Sequence, residues 1–326
     1  ERADWSSREA CWTLEISHRD SQGQPARYQL RSRFLYLCSG YYSYDQAYRP
    51  HFPGEEGFNG PIVHPQFWPE ALDYRDKRVV VIGSGATAIT LVPAMARSAA
   101  HVTMLQRSPT YVVNRPLRDK LALALQRLLP ARSAFSLVRW KNILTGIFYY
   151  RLARRRPGMF RKRLIEMAAS ELGPDINPAH FSPAYQPWDQ RICVAPDGDL
   201  FKDIHEGRAS VVTDQIDRIT SDGIRLASGA SLPADIIVVA TGLQLNAFGD
   251  IRLGVDGKAV EPAQTMAYKG MMLSDIPNCA MAFGYVNSSW TLKADLTADY
   301  VCRLLKHMDQ TGMAIAVAER DPEVSE

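Results

Sequence analysis

At 326 residues, with 46% apolar and 22% charged residues and a net charge of +3, the chain has the length of about two domains and an ordinary globular composition. That charge is too small to imply a nucleic-acid partner. The five cysteines (Cys11, Cys38, Cys193, Cys279, Cys302) include no CxxC pair, so neither a zinc site nor a redox disulfide has support, and no metal is expected. They are expected to be reduced thiols of a cytoplasmic protein, most of them buried fillers. No signal peptide is evident, and the most apolar stretch, Asn142–Tyr150, is too short to span a bilayer. The chain opens at Glu1 and runs straight into Trp5–Ile16, a turn-and-strand pattern typical of mid-domain, so a fragment is expected.

In chain order, Phe34–Gly40 is an apolar run closed by Ser39-Gly40, and Ile236–Gly242 repeats that form with Thr241-Gly242. Both are predicted to be parallel strands buried on two faces, with small terminal residues that let a ligand pass close to the backbone. Between them, Arg78–Ile82 is predicted as a strand, Ala86–Arg97 as a helix and His101–Leu105 as the next strand, a βαβ unit. Asp119–Met167 reads as helix-rich, punctuated by Pro130 and Pro157. Its basic run, Arg154–Arg156 and Arg161–Arg163, follows Phe148, Tyr149, Tyr150 and Leu152. That run has two readings, a solvated helix face or a peripheral membrane contact. Pro174–Pro196 has the composition of a site-forming loop, and Gly223–Gly229 that of strand, turn, strand. Leu296, Tyr300, Val301, Leu304, Leu305 and Met308 form a stripe at helical spacing, closed by Gly312.

Two motifs carry chemistry on their own residues. Gly83-Ser84-Gly85-Ala86-Thr87-Ala88 follows a predicted strand and opens a predicted helix, the setting in which GxGxxA holds a dinucleotide pyrophosphate. Gly83 permits the tight turn, Gly85 the close approach of backbone to phosphate, and Ala88 the packing of helix on sheet. A bare strand–helix turn is the alternative. The next strand ends in Gln106-Arg107-Ser108, with no acid to receive a ribose 2′-hydroxyl. Arg107 offers a forked cation to a 2′-phosphate and Ser108 a second donor, so NADPH is favoured over NADH. A surface arginine ending a strand is the alternative here.

A third motif is Phe58, Gly60, His64, Trp68 and Pro69, in the pattern F-x-G-x-x-x-H-x-x-x-W-P. It resembles, at every fixed position, the fingerprint of Baeyer–Villiger monooxygenases, class B flavoproteins. On its own, His64 reads as a hydrogen-bonded structural histidine sooner than a base. The resemblance agrees, since the family's His and Trp act at the link between cofactor domains. Cys38–Tyr42, Tyr48–Pro50, Phe52–Glu55, Leu105–Pro109, Tyr268–Met272 and Gly284–Trp290 are similar to the thioamide-oxidising (ethionamide-activating) branch.

The resemblance implies an α/β fold of two Rossmann-like dinucleotide-binding domains. The NADPH domain (71–243, with a helical insertion at about 116–204) would be inserted in an FAD domain made of 1–70 and 244–326. Ser39-Gly40 and Thr241-Gly242 would be the crossing points, beside cofactor. The family's first GxGxxG, for FAD, does not precede Gly83, so the primary FAD fingerprint is missing from this chain. In Trp188-Asp-Gln-Arg191, Arg191 takes the place of the active-site arginine, whose guanidinium would stabilise the oxyanion formed on a carbonyl substrate. Gln190 replaces the lysine of several relatives, which leaves NADPH preference to Arg107. Asn287, Ser288, Ser289 and Trp290 would open the C-terminal helix beside the flavin, with simple capping by Ser288 or Ser289 as a compatible alternative. The implied reaction uses NADPH, FAD and O2 to convert ketones to esters or lactones, with oxidation of thioethers or thioamides as a second activity. The alternatives are a heteroatom-only monooxygenase, an NADPH-dependent flavin reductase and a non-catalytic NADPH-binding module.

Overall fold

The computed structural model describes residues 2–19, 23–190, 192–285 and 289–324. Tertiary contacts divide the chain into two units, Ala47–Gly242 and the pair of segments Glu1–Gln46 and Leu243–Glu326.

The Ala47–Gly242 unit is built on five parallel strands in the spatial order Ala209–Thr213, His101–Gln106, Arg78–Ile82, Ile236–Val239, Ile62–Val63. The β-branched runs Val79–Ile82 and Ile236–Val239 are buried throughout, as a parallel sheet covered on both faces requires. From Arg78–Ile82 the chain moves outward to His101–Gln106 and Ala209–Thr213. It then returns to the opposite side of Arg78–Ile82 with Ile236–Val239. The order reverses at that seam, the place where open α/β sheets hold ligands beyond their carboxyl ends.

One face of the sheet is covered by α1 (Ala86–Met95), where Ile89, Val92 and Met95 pack on Val79, Val81, Val102 and Met104. The helix stops short of the predicted Arg97. Pro93 cannot donate to the preceding turn, and Ala96 closes the helix with an N–H bond to Val92 O. The other face is covered by an antiparallel three-stranded sheet, Ile216–Thr220, Gly223–Leu226 and Ser231–Pro233, which sets Ile219, Ile224 and Leu226 on Val80, Ile82 and Ile237. Residues 47–70, grouped above with the first segment, pack in this unit. Ile62–Val63 forms the edge strand beside Ile236–Val239, so the compact unit begins before residue 71.

The helical insertion contains α2 (Lys120–Leu128), α3 (Ala131–Arg155) and α4 (Pro157–Leu172). The breaks fall at the predicted prolines, Pro130 at the N-cap of α3 and Pro157 at the first position of α4. Asp119 caps α2 by accepting from the N–H groups of Leu121 and Ala122. A short helix, α5 (Asp199–His205), packs between α4 and α1.

The second unit holds a sheet in the order Lys258–Ala259, Arg252–Val255, Arg2–Ser6, Cys11–Arg19, Pro25–Ser32, with Trp5 and Trp12 buried against each other at 5.6 Å. The predicted Phe34–Gly40 strand is regular only over Leu35–Leu37, where it pairs in parallel with Cys279–Met281. The C-terminal helix, α6 (Trp290–Thr311), ends at Gly312 in the left-handed region, φ 71°. Its stripe is shifted from the predicted one. Leu296 is 53% exposed, and the neighbouring Thr297 is buried in its place.

The cysteines also depart from expectation. Cys193 and Cys279 are buried, but Cys38 and Cys302 are exposed and Cys11 is half-buried. Cys302 follows the buried Val301 on α6, about 100° further round the helix, and is exposed. Burial pushes the Cys279 thiol up to about 12. Among the described residues no helix is long and apolar enough to cross a membrane.

Candidate functional site

The carboxyl ends of the two strands at the seam meet at Gly83. Its N–H donates to Leu105 O (2.8 Å), and the Ala240 N–H donates to Ile82 O (2.8 Å). At φ +130° a Cβ on Gly83 would lie 2.3 Å from Ala240 O. The glycine is therefore demanded twice, by its dihedral and by the neighbouring strand. Gly85 has ordinary extended dihedrals (φ −78°, ψ −176°) and nothing within 4 Å of an ideal Cβ. It serves to keep open the space above the start of α1. No side chain caps that helix, Gly85, Ala86 and Thr87 are exposed, and Ala88 is fully buried against the sheet. The uncapped first-turn N–H groups and the partial positive charge of the helix end thus face open space, which fits a pyrophosphate.

The end of the adjacent strand lies beside this loop, with Ser84 Oγ donating to Ser108 O at 3.5 Å. Arg107 and Ser108 are exposed, and Arg107 forms no ion pair with the described residues. Gln106 departs from its predicted role as a cofactor contact. It is 1% exposed, and its amide donates to His180 O (2.7 Å) and Thr213 Oγ1 (2.8 Å). With its oxygen occupied by Gln106, the Thr213 hydroxyl turns its proton to His180 Nδ1 (2.7 Å). Burial lowers the His180 pKa, in keeping with a neutral ring. This buried network holds the strand end from which Arg107 projects. His180 and Thr213 were not singled out in the sequence, where neither carries a motif.

The fingerprint residues lie around the opposite edge strand. Gly60 is required by the Asp235 carbonyl oxygen, which would be 2.1 Å from its Cβ. Phe58 packs in the core on the antiparallel-sheet side. Trp68 packs on the α1 side, edge-on to Tyr74 at 6.3 Å. Pro69 O accepts from the Leu72 N–H (3.0 Å), which closes the following turn. His64 Nδ1 accepts from the Gln66 N–H (3.1 Å), so Nε2 carries the proton and donates it to Gly242 O (3.0 Å). Both ring nitrogens are committed and the side chain is buried, which leaves no lone pair for a base. Beside it, Thr241 Oγ1 donates to Tyr48 O at 3.2 Å, and Gly242 takes φ +127°.

Asp235, next to Gly60, fastens the start of the seam. Its carboxylate accepts from the Arg78 N–H (2.8 Å) and guanidinium (2.7 Å), which together hold its pKa down to about 2. A depressed carboxyl contributes stability that is present above its unfolded pKa of about 4 and lost as pH falls through its folded value. Asp235→Asn should therefore destabilise the unit at neutral pH by about 1 kcal/mol, a value reduced by solvent screening, since the Asp235 side chain is 35% exposed. In urea titrations, the gap between wild type and variant should narrow between about pH 4 and pH 2.

Arg191 lies outside the described residues, but the turn that leads to it is described. Trp188 adopts φ +73°, an uncommon conformation for a bulky residue. Its ring meets Tyr150 of α3 edge-on at 6.0 Å. The Asp189 carboxylate accepts from the Gln186 N–H (3.2 Å) and from the Arg154 guanidinium (2.8 Å). One member of the basic run is thus a brace for this turn, a role the sequence reading missed because Asp189 is 35 residues away.

In the second unit, Ser39 Oγ is buried without a hydrogen-bond partner among the described residues, and Gly40 adopts φ +74°. Trp290 lies flat on Gly284, whose Cβ would come within 2.1 Å of the indole, and 5.0 Å from the Tyr41 ring. Ser289 occupies the N-cap position of α6 but forms no cap bond, because its hydroxyl pairs with Thr291 Oγ1 at 2.8 Å. Capping by Ser289 is therefore not observed. Asn287 and Ser288 lie outside the described residues.

Comparison with known proteins places this geometry in context. Residues 16–146 match the model of the flavin-binding monooxygenase-like family. The chain is 54% identical over 321 residues to the FAD-containing monooxygenase EthA of Mycobacterium tuberculosis, and covers 98% of itself and 64% of that protein. It is 51% identical over 313 residues to EthA of Mycolicibacterium smegmatis, covering 95% of itself and 62% of the relative. The chain therefore spans somewhat less than two thirds of the length of these relatives. Among solved structures, OTEMO in complex with FAD and NADP superposes with a TM-score of 0.72 at 18% identity, over 98% of this chain and 67% of that one.

Proposed function

We propose that the protein this chain spans is an NADPH- and FAD-dependent monooxygenase of the Baeyer–Villiger type, a reading supported by the match of residues 16–146 to the flavin-binding monooxygenase-like family and by the 54% identity to the FAD-containing monooxygenase EthA. The observation that carries this reading is the open, uncapped start of α1 beside Arg107, which forms no ion pair with the described residues. A dinucleotide with a 2′-phosphate matches that donor set. The first-turn N–H groups face the pyrophosphate, and the forked guanidinium faces the extra phosphate. For FAD, the Ser39 Oγ, buried without a partner among the described residues, and the start of α6, which Ser289 does not cap, are groups that a bound cofactor would satisfy. When bound, NADPH supplies hydride and FAD activates O2 for transfer of one oxygen atom.

The chain's own residues bind and orient. The Gln106–Thr213–His180 network fixes the strand end that aims Arg107. His64, with its proton held on Nε2, positions the Thr241-Gly242 segment and takes no part in proton transfer. Arg191, which follows in sequence the Trp188-Asp189 turn braced by Tyr150 and Arg154, is the residue we assign to stabilising an oxyanion on the substrate carbonyl. Ketones are the proposed substrates, with sulfur in thioethers or thioamides as a second target. The full-length protein, supplied with NADPH, labelled O2 and a substrate carrying both a ketone and a thioether, should yield labelled ester by mass spectrometry. Labelled sulfoxide alone would assign it as a heteroatom oxygenase, and NADPH consumption without labelled product as a reductase.

A further inference from the structure

The helical insertion presents a face that the dinucleotide site does not use. Along α3, Ala134 and Ala153 are buried, and Val138, Thr145 and Leu152 half-buried on the same side. The flank beside it carries Leu137, Trp140, Leu144 and Phe148 at helical spacing, exposed by 51%, 61%, 60% and 61%. A surface helix normally puts its apolar stripe inward. Here a second stripe points to solvent and runs on into Arg151 and Arg155. On α2, which packs against α3, Leu121 and Leu128 are also exposed.

Charge is concentrated in the same place. Residues 115–163 contain fourteen Lys and Arg and a single acid, Asp119, while the whole chain has 38 Lys and Arg against 35 Asp and Glu. The remainder of the protein is therefore net acidic. Asp119 is itself neutralised by an ion pair with Lys141.

We propose that the outer face of α3, with α2, docks on an anionic phospholipid bilayer, with Trp140, Leu144 and Phe148 entering the headgroup–acyl boundary and the arginines pairing with lipid phosphates. The pattern discriminates among occupants. A nucleic acid would match the charge but has no use for exposed Leu137, Leu144 and Phe148 among the cations. A second copy joined by a two-fold axis would set this strongly cationic face against itself. A bilayer with acidic headgroups takes both the apolar stripe and the charge.

The test uses the full-length protein and vesicles of phosphatidylcholine, alone or with about one third phosphatidylglycerol. Cosedimentation is expected with the anionic vesicles only, and should weaken as salt rises from about 0.1 to about 0.5 M. Brominated lipid should quench part of the tryptophan emission, and Trp140→Phe should remove that part. Arg151→Glu with Arg155→Glu should cut partitioning by well over tenfold, at about fivefold per cation lost near the surface. These side chains are exposed, so NADPH binding should be unchanged and reports that the variants are folded. The proposal is overturned by absence of binding, by binding indifferent to these variants, by equal binding to duplex DNA without lipid quenching, or by an oligomer that dissociates when Trp140 and Leu144 become Glu.

Discussion

Arg107→Glu in the full-length protein is expected to reverse the nicotinamide preference. Charge-assisted hydrogen bonds contribute about 1.5–3 kcal/mol each, and a guanidinium can give two to a 2′-phosphate. Loss of both, with a carboxylate in their place, should lower kcat/KM for NADPH by about 10²–10⁴-fold, at about 1.4 kcal/mol per decade. With NADH the carboxylate can accept from the 2′-hydroxyl, so kcat/KM for that cofactor should hold or rise. Nothing in the fold resists the change, because Arg107 is exposed and forms no ion pair with the described residues. Steady-state kinetics with both cofactors checks it. An equal loss with NADPH and NADH would show that Arg107 does not read the 2′-phosphate. Arg107→Ala then measures the loss of attraction without the added repulsion.

Gly83→Ala and Gly85→Ala are expected to fail in opposite ways. At Gly83 a methyl group meets Ala240 O at 2.3 Å from a dihedral that side chains avoid. Backbone strain of about 1–3 kcal/mol and a comparable overpacking cost then fall on the central strand. Against a total stability of about 5–15 kcal/mol, this substitution should lower the melting temperature sharply or abolish soluble expression. At Gly85 the backbone accepts alanine and the Cβ meets nothing within 4 Å, so melting should be unchanged. The methyl enters the space proposed for the pyrophosphate, and NADPH affinity should drop by about tenfold or more. Calorimetric melting and NADPH titration separate the two effects.

The parts of this molecule that were legible in the sequence are those set by local chemistry. Ile236–Val239 reads as a buried parallel strand because every position is apolar, and Arg78–Ile82 as the first strand of a βαβ unit because Val79–Ile82 is a β-branched run. The helix breaks at Pro130 and Pro157 follow from the missing N–H and the fixed φ. The glycine loop declared itself by standing between strand and helix. Partners distant in sequence were not legible. Gln106 read as a cofactor contact by its neighbourhood with Arg107, but alternation along a doubly covered strand does not reveal which polar side chain turns inward, and Thr213, which holds it, is 107 residues on. Nor does periodicity reveal that an antiparallel sheet takes the place of helices on one face of the parallel sheet, or that Arg154 is matched to Asp189. Leu296 and Thr297 on α6 were exchanged for a simpler reason. One residue is 100° on a helix, and at the edge of a stripe that angle decides which side chain is inside.

The hydrogen bond from Thr241 to Tyr48, and that from His64 to Gly242, bring the entry and the exit of the Ala47–Gly242 unit to one spot. A module whose two ends emerge side by side can be spliced into a loop of another protein as a cassette, since the host chain resumes close to where it was interrupted. It can also be joined end to end by a linker of a few residues and opened elsewhere, so that residues 47–242 form a natural candidate for circular permutation, with new termini in the exposed turn between α2 and α3.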